Sequence, residues 1–167
     1  RKLAITAQQM NRLLYEEKPK EMPQQIQRAQ DILKLMLHLQ GIPFVDLAHL
    51  RKNDLKGDLL TCHRQKTGTE LHIKIMPEAM KLIEHYRNTD KNSHYLLRIL
   101  SGHTTGENAF IEYKDVLRRL NLNLKKLARF RNMEGIRISS YTARHTWATL
   151  AKYCRIPEEV ISEGLGH

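Results

Sequence analysis

The chain has 167 residues, 41% of them hydrophobic, 28% charged and 6% aromatic, with 28 Lys and Arg against 18 Asp and Glu for a formal charge of +10. That length fits one domain able to bury a core of its own, and the composition excludes collagen-like, disordered and solenoid classes. No run of about 18 apolar residues occurs, so a transmembrane helix is excluded, and no apolar stretch near Arg1 has the form of a secretory signal.

Taken in chain order, the pattern predicts a mainly helical protein with one small β element, an α+β arrangement. The start, Arg1-Lys-Leu-Ala-Ile-Thr6, has no initiator Met and reads as a piece of something longer. Thr6 with Gln9 three residues on forms a capping box, and Met10, Leu13 and Leu14 follow on one face. Pro23 suits the first turn of a longer helix, with Ile26, Ala29, Leu33 and Met36 at helical spacing and Gly41 as its stop. A short start follows at Pro43, with Phe44, Leu47, Ala48 and Leu50 apolar. Asp54 to Gly57 reads as a turn, then Leu59 to Arg64 and Leu71 to Ile75 as two strands of a hairpin around Gln65-Lys66-Thr67-Gly68. Pro77 opens a helix through Tyr86, and Asn88 to Ser93 and Ser101 to Asn108 read as polar loops. The longest helix is expected from Tyr113 to about Met133, with Val116, Leu120, Leu124 and Leu127 inward. Ser139 or Ser140 caps a helix over Tyr141 to Tyr153, and Ile156 begins one more that stops at Gly164. Nothing divides the chain, so residues 1–167 form a single domain.

Charge is concentrated. From Lys114 to Arg155 there are eleven basic and two acidic residues, so this quarter carries +9 of the chain's +10. Such a stretch points to a polyanion, because phosphate neutralisation with counterion release dominates that kind of binding. Arg118, Arg119, Lys125, Lys126, Arg129, Arg131 and Arg137 are the candidate DNA contacts. A solvated helix face is the plain alternative. No amphipathic helix sets exposed aromatics opposite the basic side, which speaks against a membrane surface.

Chemistry narrows by elimination. The nine His make no ligand set, and HExxH, CxxC, GxGxxG, Walker and Mg²⁺-type acidic patterns are all missing, so no metal and no cofactor is expected. Cys62 and Cys154 lack partners at metal-binding or redox spacing and read as free thiols in a reducing cytoplasm. Phosphoryl transfer without a metal needs arginines at the non-bridging oxygens.

Tyr141-Thr-Ala-Arg144-His145-Thr-Trp147 and the terminal Leu165-Gly166-His167 resemble two signature segments of the tyrosine recombinase (phage integrase) family, H-x-x-R-H followed some twenty residues later by L-G-H. Other segments fit in order. Thr6-Ala-Gln-Gln9 looks like the start of the catalytic domain, Gly41-Ile-Pro-Phe-Val-Asp-Leu-Ala-His-Leu50 like the first arginine segment, Gln65-Lys66-Thr67-Gly68 like the β-hairpin lysine, and Tyr95-Leu96-Leu97 like the segment before the long basic helix. The Pro-Phe-Val-Asp-Leu-Ala wording resembles the branch carried on mobile elements of anaerobic gut bacteria.

The resemblance implies site-specific recombination of double-stranded DNA. Strands are cut, held as a 3′-phosphotyrosyl ester and religated without metal or ATP, in a homotetramer on synapsed DNA within the bacterial cytoplasm at the nucleoid. Arg144 would hold a non-bridging oxygen of the scissile phosphate, Lys66 would protonate the leaving 5′ oxygen, and His167 would donate a hydrogen bond beside it. Tyr141 stands where the family has histidine; its hydroxyl donates to phosphate but is a poor base near neutral pH, since an unperturbed phenol titrates near ~10. His145 and Trp147 read as structural. An upstream core-binding domain is expected before Arg1.

Two departures are visible. The first-arginine position is neutral, Pro43 in the common pattern and Gln40 in the branch, so Arg51 or Arg64 is the expected substitute. The nucleophilic tyrosine is expected roughly nine residues beyond Leu165-Gly166-His167, as the resemblance has it, so this stretch is expected to be inactive by itself. A non-catalytic DNA-binding protein of the same fold and a helix-turn-helix regulator are the alternatives; type IB topoisomerases lack support because their extra lobes are absent.

Overall fold

A computed structural model describes residues 5–17 and 21–153. Helix α1 (Ala7–Tyr15) opens on the expected capping box: the Gln9 amide donates to Thr6 Oγ1 at 3.0 Å, and the Thr6 amide donates to Gln9 Oε1 at 2.8 Å. Two orphan donors are satisfied at once, a motif worth about 1 kcal/mol. Its apolar face, Met10, Leu13 and Leu14, is buried.

Helix α2 (Gln24–His38) is the axis of the domain, and Ile26, Ala29, Leu33 and Met36 are all buried as their spacing requires. It ends when the Gly41 amide reaches back to the Met36 carbonyl at 2.9 Å, with Gln40 at φ 62° and Gly41 at φ 71°. That is a Schellman closure in which Gln40 holds the left-handed position usually given to glycine. The short α3 (Phe44–Ala48) follows from Pro43, then a 3-10 turn at Lys52–Asp54.

The sheet has three antiparallel strands, β1 (Leu55–Lys56), β2 (Leu59–His63) and β3 (Glu70–Lys74), in the order β1-β2-β3. Leu60 opposes Ile73 and Cys62 opposes Leu71, and these four side chains form the buried face. The first strand corrects the expectation of a plain turn at Asp54 to Gly57. Two residues are too short for alternation to show, and Leu55 pairs with Leu60 only because Gly57 takes φ 63°.

Helix α4 (Pro77–His85) starts at its proline as expected. Helix α5 (Gly106–Phe130) begins seven residues before the expected Tyr113 and ends three before Met133. Its first turns show no buried stripe, since Phe110 and Ile111 are exposed, so periodicity could not mark them. Instead Glu112 anchors the preceding loop, accepting from the Ser101 amide at 2.8 Å and from Thr104 Oγ1 at 2.7 Å. Farther along, Leu120, Leu124 and Leu127 are buried, with Val116 packed half-buried against the core. Helix α6 (Thr142–Tyr153) starts one residue later than expected, with the Tyr141 amide on Ser139 Oγ at 3.2 Å and the Thr142 amide on the Ser139 carbonyl at 3.0 Å. Helix α2 packs against α1, α4, α5 and α6, so one central helix fixes where the others stand. The helix expected from Ile156, and Cys154, lie outside the described residues. No described helix is long and apolar enough to cross a membrane.

Candidate active site

The site is built on one buried carboxylate. Asp46 of α3 is 3% exposed and Arg64, at the end of β2, is 9% exposed; Arg64 Nε donates to Asp46 Oδ2 at 3.1 Å. The other oxygen, Oδ1, accepts the Gln65 amide at 2.8 Å. A buried carboxylate is stable only when paired and hydrogen-bonded, and here both partners belong to the root of the β2-β3 hairpin. The turn closes beyond them, with the Gly68 amide on the Arg64 carbonyl at 2.7 Å and the Arg64 amide on the Thr69 carbonyl at 2.8 Å. Lys66 is therefore lifted, exposed, at the tip of a hairpin whose root is pinned to α3.

Arg144 comes to the same place from α6. It is half-buried, and its Nη1 donates to the Gly41 carbonyl at 3.3 Å. Burial pulls its guanidinium below the usual arginine range, the positive charge of Arg64 adds to that, and Asp46 opposes both. Three elements distant in sequence thus converge: the α2-α3 corner, the hairpin root and α6. The corner tolerates no side chain at Gly41, since a Cβ there would come within 2.8 Å of Trp147 Cβ and 3.1 Å of Arg144 Cα. Trp147 accordingly sets the distance between α6 and the corner.

Tyr141 lies just before α6, 54% exposed, with its ring 6.3 Å from that of His145. It opens into a cleft of about 480 Å³ between the end of α5 and α6, lined by Lys125, Arg129, Arg137 and His145, with Ile136 and Ile138. His145 is half-buried at this cleft rather than packed in the core. Tyr113 of α5 stacks on Phe44 at 6.0 Å, and its phenol is pushed up to about 12 by burial, then by Tyr141 and Asp46.

The expected site residues therefore separate. Arg144 and Arg64 stand together, while Arg51 is exposed at the start of the 3-10 turn and its backbone bridges Tyr95. Gln40 is half-buried next to Gly41, and Pro43 caps α3, so the corner beside Arg144 carries no charge of its own. Tyr141 faces the adjoining cleft, and His167 lies outside the described residues. Of the basic stretch, Arg118 and Arg119 share Asp115 at 2.9 Å each. Lys125, Arg129 and Arg137 are exposed and Lys126 is half-buried. Arg131 is 6% exposed and donates to the Glu16 and Glu17 carbonyls at 2.8 Å, which ties α5 to the segment after α1 and turns the guanidinium away from solvent. Asp46 is the residue of this cluster that composition and spacing do not single out. Its signal is an acid inside the otherwise apolar Phe44-Val-Asp-Leu-Ala48.

No protein-family model and no curated protein matches the chain. Solved structures do. The XerH site-specific recombinase bound to difH substrate superposes with TM-score 0.67 at 14% identity, over 98% of this chain and 47% of that one. The fold is that of a tyrosine recombinase catalytic domain. The lambda integrase catalytic core matches with TM-score 0.60 at 15% identity, over 99% of this chain and 96% of that one. The Tn1549 transposon integrase in complex with a circular intermediate DNA matches with TM-score 0.61 at 15% identity, over 100% of this chain and 58% of that one. This chain thus spans about half the length of the longer recombinases and nearly all of the isolated catalytic core.

Proposed function

We propose that this chain is the catalytic part of a tyrosine-type site-specific recombinase, of the branch with a Pro-Phe-Val-Asp-Leu-Ala first segment found on bacterial mobile elements. The observation that supports the reading is that Arg144, bonded to the Gly41 carbonyl of the α2-α3 corner, and Arg64, bonded to Asp46 of α3 at the root of the Lys66 hairpin, are held on the same corner of this fold. In the reaction the hydroxyl of a tyrosine, from the sequence expected after His167, gives its proton to water and its oxygen attacks the scissile phosphorus while the bond to the 5′ oxygen breaks. Lys66 gives its proton to that leaving oxygen. Arg144 and Arg64 hold the non-bridging oxygens, where two preorganised cations offset the charge gathered in the transition state. Arg64 takes the part that neutral Gln40 and Pro43 leave open, and Tyr141 and His167 donate hydrogen bonds. Lys125, Lys126, Arg129 and Arg137 take flanking phosphates of double-stranded DNA, with Arg118 and Arg119 contributing less because Asp115 already shares their charge. Arg131 belongs to the fold. The assembly is a homotetramer on synapsed DNA at the nucleoid.

Cleavage of a nicked suicide duplex by the intact parent protein tests this. The parent accumulates a covalent protein–DNA adduct, and Arg144→Ala and Lys66→Ala each lower its rate by about 10²–10³ at saturating DNA. The uncharged Gln40 and Pro43 favour a second reading, a DNA-binding protein of this fold that does not cut; a parent that binds the duplex and forms no adduct establishes that one.

A further inference from the structure

The cleft between α5 and α6 has a lining that a duplex backbone does not require. Its cations, Lys125, Arg129 and Arg137, have no ion-pair partner among the described residues, in contrast to Arg118 and Arg119. Its floor is apolar, with Ala128 and Ile138 buried and Ile136 half-buried. Its wall carries two rings, Tyr141 and His145, set at 49° to each other so that they do not stack on one another. Among the described residues the one acid in the lining, Glu134, offers a hydrogen-bond acceptor at the exposed rim. A volume of about 480 Å³ falls within the ~300–1,000 Å³ of small-ligand clefts. Phosphate contacts need only donors at a surface, whereas an aromatic ring left 54% exposed over an apolar floor, with cations around it, suits the flat face of a base and the charge of its phosphate.

We propose that this cleft holds a single unstacked nucleotide of the DNA, its base lying on Tyr141 over Ile136 and Ile138 and its phosphate among Lys125, Arg129 and Arg137. The inference rests on the DNA-binding reading above and adds a place for one extruded base. Tyr141 lies three residues before Arg144, about one helical turn, so the extruded nucleotide is close to the scissile phosphate. Taking a base out of the stack costs a few kcal/mol in a paired duplex and least where it is already unpaired. The cleft therefore favours DNA carrying an unpaired base near the cleavage point.

The test compares the 167-residue chain on a perfect 25-bp duplex and on the same duplex with one unpaired 5-iodouracil, by fluorescence anisotropy and by photocrosslinking. Binding to the bulged duplex is expected to be about tenfold tighter, and the crosslink to map to Tyr141. Tyr141→Phe keeps the preference because the ring remains, Tyr141→Ala abolishes it, and Arg137→Ala, which removes a cation from the nucleotide's phosphate, weakens the bulged duplex more than the perfect one. Tyr141 is on the surface, so circular dichroism of the alanine variant should match the parent chain. Equal affinity for both duplexes with no crosslink at Tyr141 overturns the nucleotide site while leaving salt-dependent DNA binding intact. Failure to bind either duplex overturns the DNA-binding reading as well.

Discussion

The arginines of this protein fall into two groups that a sequence writes in the same letter. Arg64, Arg131 and Arg144 are wholly or half out of water, and their guanidinium donors are directed at fixed protein oxygens, Asp46, the Glu16 and Glu17 carbonyls, and the Gly41 carbonyl. Arg118, Arg119, Arg129 and Arg137 stand in solvent on α5 and the loop after it. The first group is preorganised, because moving any of its members breaks a buried or part-buried bond; the second is adaptable and screened by salt. On the proposed function, Arg64 and Arg144 of the buried set would supply geometry for chemistry while Arg131 holds the fold, and the exposed set would supply affinity for a polyanion.

The hardest strain on this division is Asp46→Ala. It leaves Arg64 charged, buried and without its carboxylate, which is expected to cost about 3–5 kcal/mol of unfolding free energy in urea melts. A loss under about 1 kcal/mol would mean that Arg64 swings freely into solvent and belongs with the exposed group. Next comes the choice between the two substitute arginines. In the intact parent at saturating DNA, Arg64→Ala is expected to slow strand cleavage by about 10²–10³ and Arg51→Ala by less than threefold, since Arg51 stands exposed at the 3-10 turn. Gln40→Arg is expected to restore part of the rate in the Arg64→Ala background. Its backbone asks nothing new, because glutamine already occupies the left-handed position.

Within α5 and its end the same division is read by salt. Arg131→Ala should lower stability by about 1.5–3 kcal/mol, the range for hydrogen bonds made by a charged group, and leave the slope of log affinity against log salt unchanged. Arg129→Ala should do the reverse, with stability constant and the slope reduced by about 1. A smaller effect is expected at alkaline pH from another buried group. Burial pushes the Cys62 thiol up to about 12, so the folded chain keeps a proton that the unfolded chain releases from about pH 9. The Cys62 contribution is therefore full below pH 9 and is lost as pH rises toward 12, and Cys62→Ala should remove that share of the alkaline decline in urea midpoints, leaving the share of the raised phenols of Tyr15, Tyr86 and Tyr113.

Much of this architecture was legible in the chain because it depends on neighbours. The Thr6–Gln9 box, Pro77 at a helix start and the Leu120, Leu124, Leu127 stripe are local patterns, and each expresses a rule about dihedrals or periodic burial that holds wherever the segment sits. The hairpin around Lys66 was legible for the same reason. The early start of α5 and the strand at Leu55 were not, because a loop clasped by Glu112 and a two-residue pairing leave no periodic trace.

What the sequence determined by itself was most of the described helices and the β2-β3 hairpin, the +9 stretch, and the pair Arg144 and Lys66 as a resemblance. The tertiary structure decided which charges act together. Arg64 and Arg51 are 13 positions apart, and nothing in either neighbourhood separates them; they part when Asp46 draws the hairpin root to α3, burying Arg64, while Arg51 stays exposed and Gly41 lets α6 approach within van der Waals contact. Likewise Arg131 and Arg129 share a helix end and differ by two residues, yet the helix turns about 200° between them, so one points into the fold and the other into solvent. A charge's role is set by its dielectric surroundings and its partners, and those are assembled from segments far apart in the chain.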